Sequence, residues 1–327
     1  MKQLTISLVT YNSERFLADF CDSLQAQTFT DWDLLVMDNN SFDRSAATIV
    51  EHIPAAKVVR QKNNLGFAKA HNLNIQWSKS PYILVVNPDI VMEPDCLALL
   101  VAAMEQHEQA GSVGAALLYW DAETKRRTNI VDSYGIALGK NYNAIDAAQG
   151  LTEKKFDERV VFGVSGALVL YRREALEAVA FVHGKEREYF DEDFFAYKED
   201  VDLAWRLQIA GYQSFVIGNA LAYHHRTIAG TRASRHERQQ RGAVNRYSYR
   251  NHVLMVYKNQ YWAVSLRKLF PILWFEVRKF VYLLFLDRSS VKGLIQAIRL
   301  LPRFRTKRHV VVQSRKLKAK EFEQWLM

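Results

Sequence analysis

The stretch Tyr82-Ile-Leu-Val-Val-Asn-Pro-Asp89 gives the strongest indication of the fold. Its five leading residues form an apolar run with the length of a buried strand, and the run ends abruptly at Asn87. In α/β proteins, ligands bind where buried strands end. Asn87 and Asp89 are therefore candidate binding residues.

The chain on either side of this stretch alternates apolar runs of strand length with amphipathic runs of helix length. Such alternation predicts a parallel, doubly wound α/β sheet with helices on its faces. The predicted strands are 4–9, 34–37, 57–60, 82–86 and 111–119, and the predicted helices are 13–27, 43–52, 67–77 and 95–108. Short polar turns follow the first three strands, and all three should open on the carboxyl edge of the sheet.

The second half of the chain is less regular. Residues 120–158 are polar with little periodicity, which suggests a mobile loop over a site. Further on, the patterns predict strands 160–171 and 214–217, helices 173–180 and 199–210, and amphipathic helices from about residue 226. We expect a main domain of residues 1–225 and a helical, basic extension of residues 226–327.

Residues 189–206 place six carboxylates between Asp191 and Asp202 among aromatic side chains. Helix capping and an ion pair with Arg206 explain two or three of these acids, but not six. Burial against aromatic residues raises the proton affinity of a carboxylate toward the range of a general base. Asp200 or Glu199 is the candidate for that role.

Two nucleotide-binding motifs are absent from the sequence. No GxGxxG follows the first strand, so a nicotinamide enzyme is not expected, and no GxxxxGK[ST] is present, so a P-loop is excluded.

The two cysteines, Cys21 and Cys96, have neither CxxC spacing nor nearby histidines, which argues against a disulfide framework or a zinc site.

The net charge of +9 is concentrated near the C-terminus, because residues 288–320 contain lysine and arginine but no acid. The apolar, aromatic segment 269–286 precedes this run. Its longest uninterrupted apolar stretch is too short to cross a bilayer, which requires a helix of about 20 residues. Residues 269–320 are therefore expected to lie on an anionic membrane surface, or else to form an ordinary docking helix. Nucleic-acid binding is not expected, because no stacking module or recognition helix is evident.

The N-terminus reads directly into a strand and shows no signal-peptide pattern. The expected location is the cytoplasm, with the protein peripheral on the inner face of the cytoplasmic membrane.

Asp38 and Asn39 follow the second predicted strand, where they could bind a nucleotide or merely form an Asx-turn. Asp89 could ligate a hard divalent cation, and His224 or its neighbour His225 could supply a second ligand. A cation there would bridge a diphosphate and neutralise a leaving group. Together with a base, these groups indicate transfer chemistry at a sugar–diphosphate bond.

The chain resembles inverting family 2 glycosyltransferases of the GT-A fold, especially the bacterial rhamnosyltransferase-like branch. The resemblance covers about residues 4–258 and rests on ordered motifs: Val9-Thr-Tyr-Asn12, Asp38-Asn-Asn-Ser41, Asn64-Leu-Gly-Phe67 with Asn72, Asn87-Pro-Asp89, Val164-Ser-Gly-Ala167 with Arg172-Arg173, the 190–203 segment, the His224 region and Arg250-Asn251. It implies a Rossmann-like, mostly parallel sheet flanked by helices.

The resemblance also implies roles for individual residues. Asp200, with Glu199 beside it, would be the catalytic base, and Asp89 with His224 would bind Mg²⁺ or Mn²⁺. Asn87 stands where many members of the family have the first acid of an Asp-x-Asp motif. The expected donor-binding residues are Thr10, Tyr11, Asn12, Asp38, Asn39, Gly66, Asn72 and Asn87. The expected acceptor-binding residues are Asp191, Glu192 and Gly166.

The implied reaction is inverting transfer of a sugar to a hydroxyl of a lipid-diphosphate-linked saccharide in O-antigen or capsule synthesis, with dTDP-L-rhamnose as the expected donor. The alternatives are a transferase of the same fold that uses a UDP-hexose or UDP-galactofuranose, or a non-catalytic subunit that binds a nucleotide sugar.

Overall fold

The computed structural model describes residues 2–121, 124, 126–152, 155–225, 235–267, 270, 272–274, 277–278, 281 and 288–327. The strands are β1 Leu4–Thr10, β2 Trp32–Asp38, β3 Lys57–Arg60, β4 Tyr82–Val86, β5 Ile90–Met92, β6 Ala110–Asp121, β7 Arg126–Ser133, β8 Ile136–Leu138, β9 Ala144–Asp146, β10 Arg159–Val161, β11 Leu168–Arg172, β12 Phe181–His183, β13 Glu186–Glu188 and β14 Gln213–His224. The helices are α1 Glu14–Gln25, α2 Ser45–His52, α3 Gly66–Trp77, α4 Cys96–Gln106, α5 Arg173–Val179, α6 Glu199–Ile209, α7 Arg235–Asn259, α8 Trp262–Arg267, α9 Arg288–Gln313 and α10 Ala319–Phe322. Short 3₁₀ turns span Glu192–Phe194 and Glu323–Trp325.

The central sheet has ten strands, and eight of them run in the order β10-β14-β6-β11-β4-β1-β2-β3. β1 pairs in parallel with β2 and β4, and β3 extends this parallel unit beyond β2. β11 lies antiparallel between β4 and β6, so the whole sheet is mixed. The prediction of an α/β fold with a central sheet flanked by helices is confirmed.

Two apolar clusters cover the two faces of this sheet. Leu17 of α1, Ile49 of α2 and Leu100 of α4 belong to one cluster. Ile75 of α3 and Leu207 of α6 belong to the cluster on the other face, with residues of α5. Because the polar turns after β1, β2 and β4 leave parallel strands in the same direction, they meet at one edge of the sheet.

The expectation of an irregular loop over residues 120–158 was wrong for the described part of that stretch. β7 pairs with β6, and β8 pairs with β9 to form a small separate sheet. Residues 126–133 include polar side chains such as Arg127 and Thr128 because β7 pairs only at the margin of the sheet, where one side meets solvent.

The C-terminal helices form a further layer outside α6. Trp205 of α6 stacks on Phe322 of α10, with ring centroids 5.3 Å apart and planes 6° apart. Leu254 of α7 and Phe304 of α9 are fully buried in the same cluster. The predicted helical extension is therefore present, and it shares a core with the segment that contains Asp200.

Most of the apolar segment 269–286 lies outside the described residues. Within the described part of the chain, no helix combines the length and the apolar character needed to cross a bilayer.

Candidate active site

The ends of β1 and β2 are tied together by buried hydrogen bonds. Thr10 Oγ1 donates to Oδ1 of Asp38 at 3.0 Å, and Arg60 approaches the other oxygen of Asp38 at 3.3 Å. Both Thr10 and Asp38 are buried. Tyr11, by contrast, is exposed, and Asn12 adopts a positive φ of 51° with its side chain accepting from the backbone N–H of Phe42. The turn after β1 therefore places Tyr11 and Asn12 at the surface, above the buried hydrogen bond between Thr10 and Asp38.

Asn39 links the end of β2 to the start of α3. Its side chain donates to the carbonyl of Gly66 at 3.1 Å and accepts from Leu65 N–H at 3.3 Å. Gly66 has a φ of +78°, and a Cβ at this position would lie 2.5 Å from the carbonyl oxygen of Phe195. Any larger residue would push the acid-rich residues 189–206, which we call the acidic segment, away from α3.

A cavity of about 630 Å³ opens above these turns. It contains six of the sequence-predicted donor or metal residues together with aromatic side chains from α7 and the 193–198 segment. Its lining includes Tyr11, Asn12, Asn39, Gly66, Asn87, Asp89, Phe195, Tyr197 and Tyr247. We call it the first cavity.

Asp89 and His224, the two predicted metal ligands, lie side by side. Nε2 of His224 is 3.5 Å from Oδ2 of Asp89, and Nδ1 is 2.7 Å from Oδ2 of Asp132. Burial alone would lower the pKa of His224, but contacts with Asp132 and Asp89 raise this pKa to about 9. Asp132 thus fixes the imidazole so that Nε2 faces Asp89, as carboxylates do behind metal-binding histidines. His225 instead packs against Phe16.

Asp89 offers carboxylate oxygens to a divalent cation, and His224 offers Nε2 once that nitrogen has released its proton. Oδ1 of Asp89 is buried and has no hydrogen-bond partner within the described structure. An orphaned carboxylate oxygen beside an oriented imidazole nitrogen is a costly arrangement unless a cation or ligand completes it.

The carboxylate of Asp200 is held at the start of α6. Oδ2 accepts from the backbone N–H of Gly166 at 3.0 Å, and Oδ1 accepts from that of Val201 at 2.7 Å. Asp200 is only partly buried, whereas Glu199 is buried and its Oε2 has no partner among the residues described. Burial and the charge of Asp200 raise the pKa of Glu199 to about 8. The sequence-based expectation of an acid with raised proton affinity therefore fits Glu199.

Asp200 and Glu199 line a second cavity of about 400 Å³. Its wall includes Asn87, Gly166, Ala196, Tyr197, Lys198, His224 and Ser248. Four residues line both cavities: Phe67, Asn87, Ala196 and Tyr197. The two cavities are therefore neighbours that share one wall, and His224 in the second contacts Asp89 in the first.

Five predicted site residues are not brought to either cavity wall. Thr10 and Asp38 are buried beneath the turns that follow β1 and β2. Asn72 is buried and forms reciprocal hydrogen bonds with the backbone of Phe190. Glu192 accepts from Asn72 at 3.2 Å and lies 3.5 Å from Lys69. Asp191 is fully buried and paired with Lys258 and Lys307. Asn72, Glu192 and Asp191 thus help to hold the acidic segment in place without lining either cavity.

The carboxylates of Glu188, Asp191 and Asp193 also lie close enough together to hold a cation. Lys307 contacts all three, at 2.6 Å from Glu188 and 2.9 Å from Asp193, and it is itself buried. The ammonium groups of Lys258 and Lys307 keep the pKa of Asp191 low against the effect of burial. The charge of this cluster is thus balanced by lysines, and the Asp89–His224 pair remains the better cation site.

The fold is that of GT-A glycosyltransferases. The chain superposes on the mannosyltransferase PcManGT from Pyrobaculum calidifontis in complex with GDP-Man and Mn²⁺ with a TM-score of 0.55 and 15% identity, covering 96% of this chain and 86% of that one. It superposes on S. aureus TarS 1-349 in complex with UDP with a TM-score of 0.56 and 16% identity, covering 99% and 92%.

Residues 5–180, more than half of the chain, match the family model of glycosyl transferase family 2, so the chain belongs to that family. It is 27% identical over 242 residues to the N-acetylglucosaminyl-diphospho-decaprenol L-rhamnosyltransferase of Mycobacterium tuberculosis, covering 68% of this chain and 76% of the relative. It is 24% identical over 236 residues to the rhamnosyltransferase WbbL of Escherichia coli K12, covering 67% and 82%.

Proposed function

We propose that this glycosyltransferase moves L-rhamnose from dTDP-L-rhamnose, with inversion, to a hydroxyl of a lipid-diphosphate-linked saccharide in O-antigen or capsule synthesis. The observation that carries this proposal is the pair of adjoining cavities, with Asp89 in the first and Asp200 in the second. A transferase needs two substrates to meet at one wall, and a carboxylate on the acceptor side of that wall. The names of both rhamnosyltransferase relatives support the choice of sugar, and the name of the Mycobacterium tuberculosis relative supports a lipid-diphosphate-linked acceptor.

The first cavity is proposed to hold the nucleotide. Asn39 lines this cavity and is proposed to bind a base or ribose, Tyr11 offers an exposed ring for stacking, and Asp38 supports this edge of the sheet from a buried position. Thr10 fixes Asp38, while Gly66 leaves room for a close approach of the 193–198 segment. Asn12 and Asn87 complete the proposed donor-binding set.

The Asp89–His224 pair is proposed to hold Mg²⁺ or Mn²⁺, which would neutralise charge that develops on the departing diphosphate. Asp132 keeps the imidazole oriented for this task. Asp89 contributes the carboxylate oxygen that lacks a partner within the described residues.

The second cavity is proposed to hold the acceptor, with Asp200 as general base. The acceptor oxygen would form a bond to the anomeric carbon as the bond from that carbon to the diphosphate oxygen breaks. The hydroxyl proton would pass to Asp200, and the nucleoside diphosphate would leave. Hydrogen bonds from Gly166 and Val201 N–H hold the carboxylate in place for this transfer. One in-line displacement inverts the configuration at the anomeric carbon.

The C-terminal helices are proposed to place the enzyme on the anionic inner face of the cytoplasmic membrane, where a lipid-linked acceptor resides. Exposed apolar residues recur in this region, at intervals of three or four residues apart from one adjacent pair: Trp262, Leu266, Phe270, Leu273, Trp274, Val277 and Val281. On α9, Ile295 and Ile298 are exposed beside Lys292, Arg299 and Arg305. Apolar and cationic groups on one exposed surface suit an anionic bilayer.

The experiment is a transfer assay with purified protein, a lipid-diphosphate-linked saccharide, and dTDP-L-rhamnose, a UDP-hexose or UDP-galactofuranose as donor. Mass spectrometry of the product should show addition of one rhamnose from dTDP-L-rhamnose only, and the linkage should have inverted configuration by NMR. Activity with a UDP-sugar alone would replace the proposed donor. If every donor binds but none is consumed, the protein is a non-catalytic nucleotide-sugar-binding subunit. The same assay with EDTA tests the proposed cation, because chelation should stop transfer and added Mg²⁺ or Mn²⁺ should restore it.

A further inference from the structure

The segment Asp193–Lys198, which we call the wall loop, has an unusual backbone. Phe195, Tyr197 and Lys198 have φ values of 64°, 72° and 72°, and none of them is glycine. Each such conformation costs about 1–3 kcal/mol and persists only where surrounding structure enforces it. The wall loop therefore needs restraints from outside itself.

One restraint comes from the start of α3. The carbonyl of Phe195 accepts hydrogen bonds from the backbone N–H groups of Phe67 at 2.7 Å and Ala68 at 3.3 Å. These donors belong to the first turn of the helix, where N–H groups have no partner within the helix. The restraint acts on one carbonyl of the loop.

Two adjacent side chains of α7 supply further restraints. Nη2 of Arg250 donates to the carbonyls of Asp193 at 2.6 Å and Phe194 at 3.0 Å, and Asn251 reaches further along the loop. Nδ2 of Asn251, which is fully buried, lies 3.0 Å from the carbonyl oxygen of Phe194, 2.9 Å from that of Ala196 and 2.7 Å from that of Tyr197. Nε of Arg250 donates to Oδ1 of Asn251 at 2.9 Å, which fixes the orientation of the amide. Three loop carbonyls thus converge on one amide.

The wall loop lies where its position affects both substrates. Ala196 and Tyr197 line both cavities, and the loop leads directly into Glu199 and Asp200. We propose that Asn251 is a positioning residue for transfer: its amide holds the wall loop in its strained form and thereby sets where Asp200 stands relative to the donor cavity. This proposal rests on the proposed function for its kinetic consequence.

The variants are Asn251→Ala and Asn251→Asp, where the second keeps the size of the side chain but cannot donate to the carbonyls. Asn259→Ala is the matched control, because Asn259 is a buried asparagine of the same helix whose amide donates to Asp202 at 2.7 Å instead of to the loop. Asn259→Ala removes one buried hydrogen bond, whereas the Asn251 variants remove the amide that three carbonyls share, so the Asn251 variants should lose more stability and all rates are compared per folded molecule.

The measurements are kcat per folded molecule for transfer, and the donor dissociation constant by calorimetry. For both Asn251 variants we expect kcat to fall about 10- to 100-fold, because small displacements of a catalytic group cost rates of this order. The donor dissociation constant should change less than about 5-fold, a loss of under about 1 kcal/mol, since β1 and β2 carry the nucleoside contacts. Asn259→Ala should keep kcat within about 3-fold of the parent, under about 0.7 kcal/mol. Equal kcat values for Asn251→Ala and Asn259→Ala would overturn the proposal.

Amide hydrogen exchange separates failure of this proposal from failure of the proposed function. In the Asn251 variants, exchange in peptides that cover 194–198 should speed up at least about 10-fold relative to the parent, with no such change in Asn259→Ala. An unchanged loop would overturn the proposal even if rhamnosyl transfer is confirmed. A loosened loop in a protein that transfers no sugar would reject only the proposed function.

Discussion

Nε2 of His224 lies 3.5 Å from Oδ2 of Asp89, although the two residues come from distant parts of the chain. The contact exists because β14, which ends at His224, pairs antiparallel with β5, which begins directly after Asp89. Ile90 and His224 are partners in that register. A strand pairing therefore assembles the candidate cation site.

Loss of Asp132 should weaken cation binding without removing a ligand. For Asp132→Asn we expect about a 10- to 100-fold loss of Mn²⁺ affinity, because the carboxylate no longer orients the imidazole of His224. Mn²⁺ titration followed by electron paramagnetic resonance measures the change. His224→Ala should lose more, and His225→Ala, the neighbouring histidine that packs on Phe16, should bind Mn²⁺ like the parent. Weaker binding in His225→Ala than in His224→Ala would reverse the assignment.

Asp200→Asn should slow transfer by about 10²–10⁴-fold while donor binding stays nearly unchanged, because the variant loses the proton acceptor and one of the two backbone hydrogen bonds to the carboxylate, both on the acceptor side. Single-turnover kinetics and donor calorimetry measure the two effects. Asp33→Asn, an exposed acid on β2, is the control and should retain parental rates. Parental turnover in Asp200→Asn would transfer the role of base to another group, with Glu199 as the first candidate.

Glu199 should make stability depend on pH. The pKa of Glu199 is about 8 in the folded protein, against 4.5 for an unperturbed glutamate, so between pH 4.5 and 8 the unfolded chain releases a proton that the folded protein keeps. The free energy of unfolding that Glu199 contributes at low pH is therefore lost as pH rises through this window. Glu199→Gln removes the effect, so its stability relative to the parent should increase from pH 4.5 to pH 8 by an amount on the order of a few kcal/mol.

Urea denaturation at the two pH values measures this difference. Glu174→Gln, an exposed acid on α5, should show no such trend. A stability difference for Glu199→Gln that is constant between pH 4.5 and 8 would contradict the raised pKa.

Lys307→Met should destabilise the protein by roughly 3–5 kcal/mol, because removing one partner leaves buried carboxylates uncompensated. Thermal and urea unfolding measure the loss. Arg305→Met changes an exposed cation on the same helix and should cost less than about 0.5 kcal/mol. If the two variants unfold alike, the ion cluster does not hold α9 to the acidic segment.

The double variant Phe270→Ser/Trp274→Ser should reduce binding to vesicles that contain anionic lipid by at least about 10-fold, since two large apolar groups are lost. Phe270 is 80% exposed and Trp274 is 57% exposed. Trp77→Ser, at a residue 50% exposed on α3, controls for the loss of an exposed aromatic side chain. Cosedimentation measures binding, and equal loss in Trp77→Ser would show that the C-terminal surface is not the contact.

The sequence predicted the parts of the fold that depend on local pattern. β3 and β4 have the predicted bounds, because short apolar runs between polar turns leave few alternatives. Asp89 could be selected because it follows a buried apolar strand, and Asp200 because it lies among aromatic residues in a motif that resembles the family; their roles as cation ligand and base stay predictions. Asp132 could not be found, because its role depends on the pairing of β7 with β6 within a polar stretch that lacks periodicity.

The environment of Asp191 was equally hidden. An acid among aromatic residues near Asp200 suggests a substrate contact, but Lys258 and Lys307 neutralise it from α7 and α9. Lys307 belongs to a basic run whose pattern suggests a solvated surface. Only the packing of α9 over the acidic segment separates the buried lysine from its exposed neighbours.

The burial of Asp191 against Lys307 has a consequence for biosynthesis. A ribosome must translate past codon 307, and the exit tunnel must release α9, before the acidic segment can acquire its counter-ions. Until then neither cavity is complete, because Ala196 and Tyr197 of the wall loop line both cavities. Productive folding of the stretch that contains Asp191 and Asp200 is thus deferred to the last stages of translation, however early its own residues emerge.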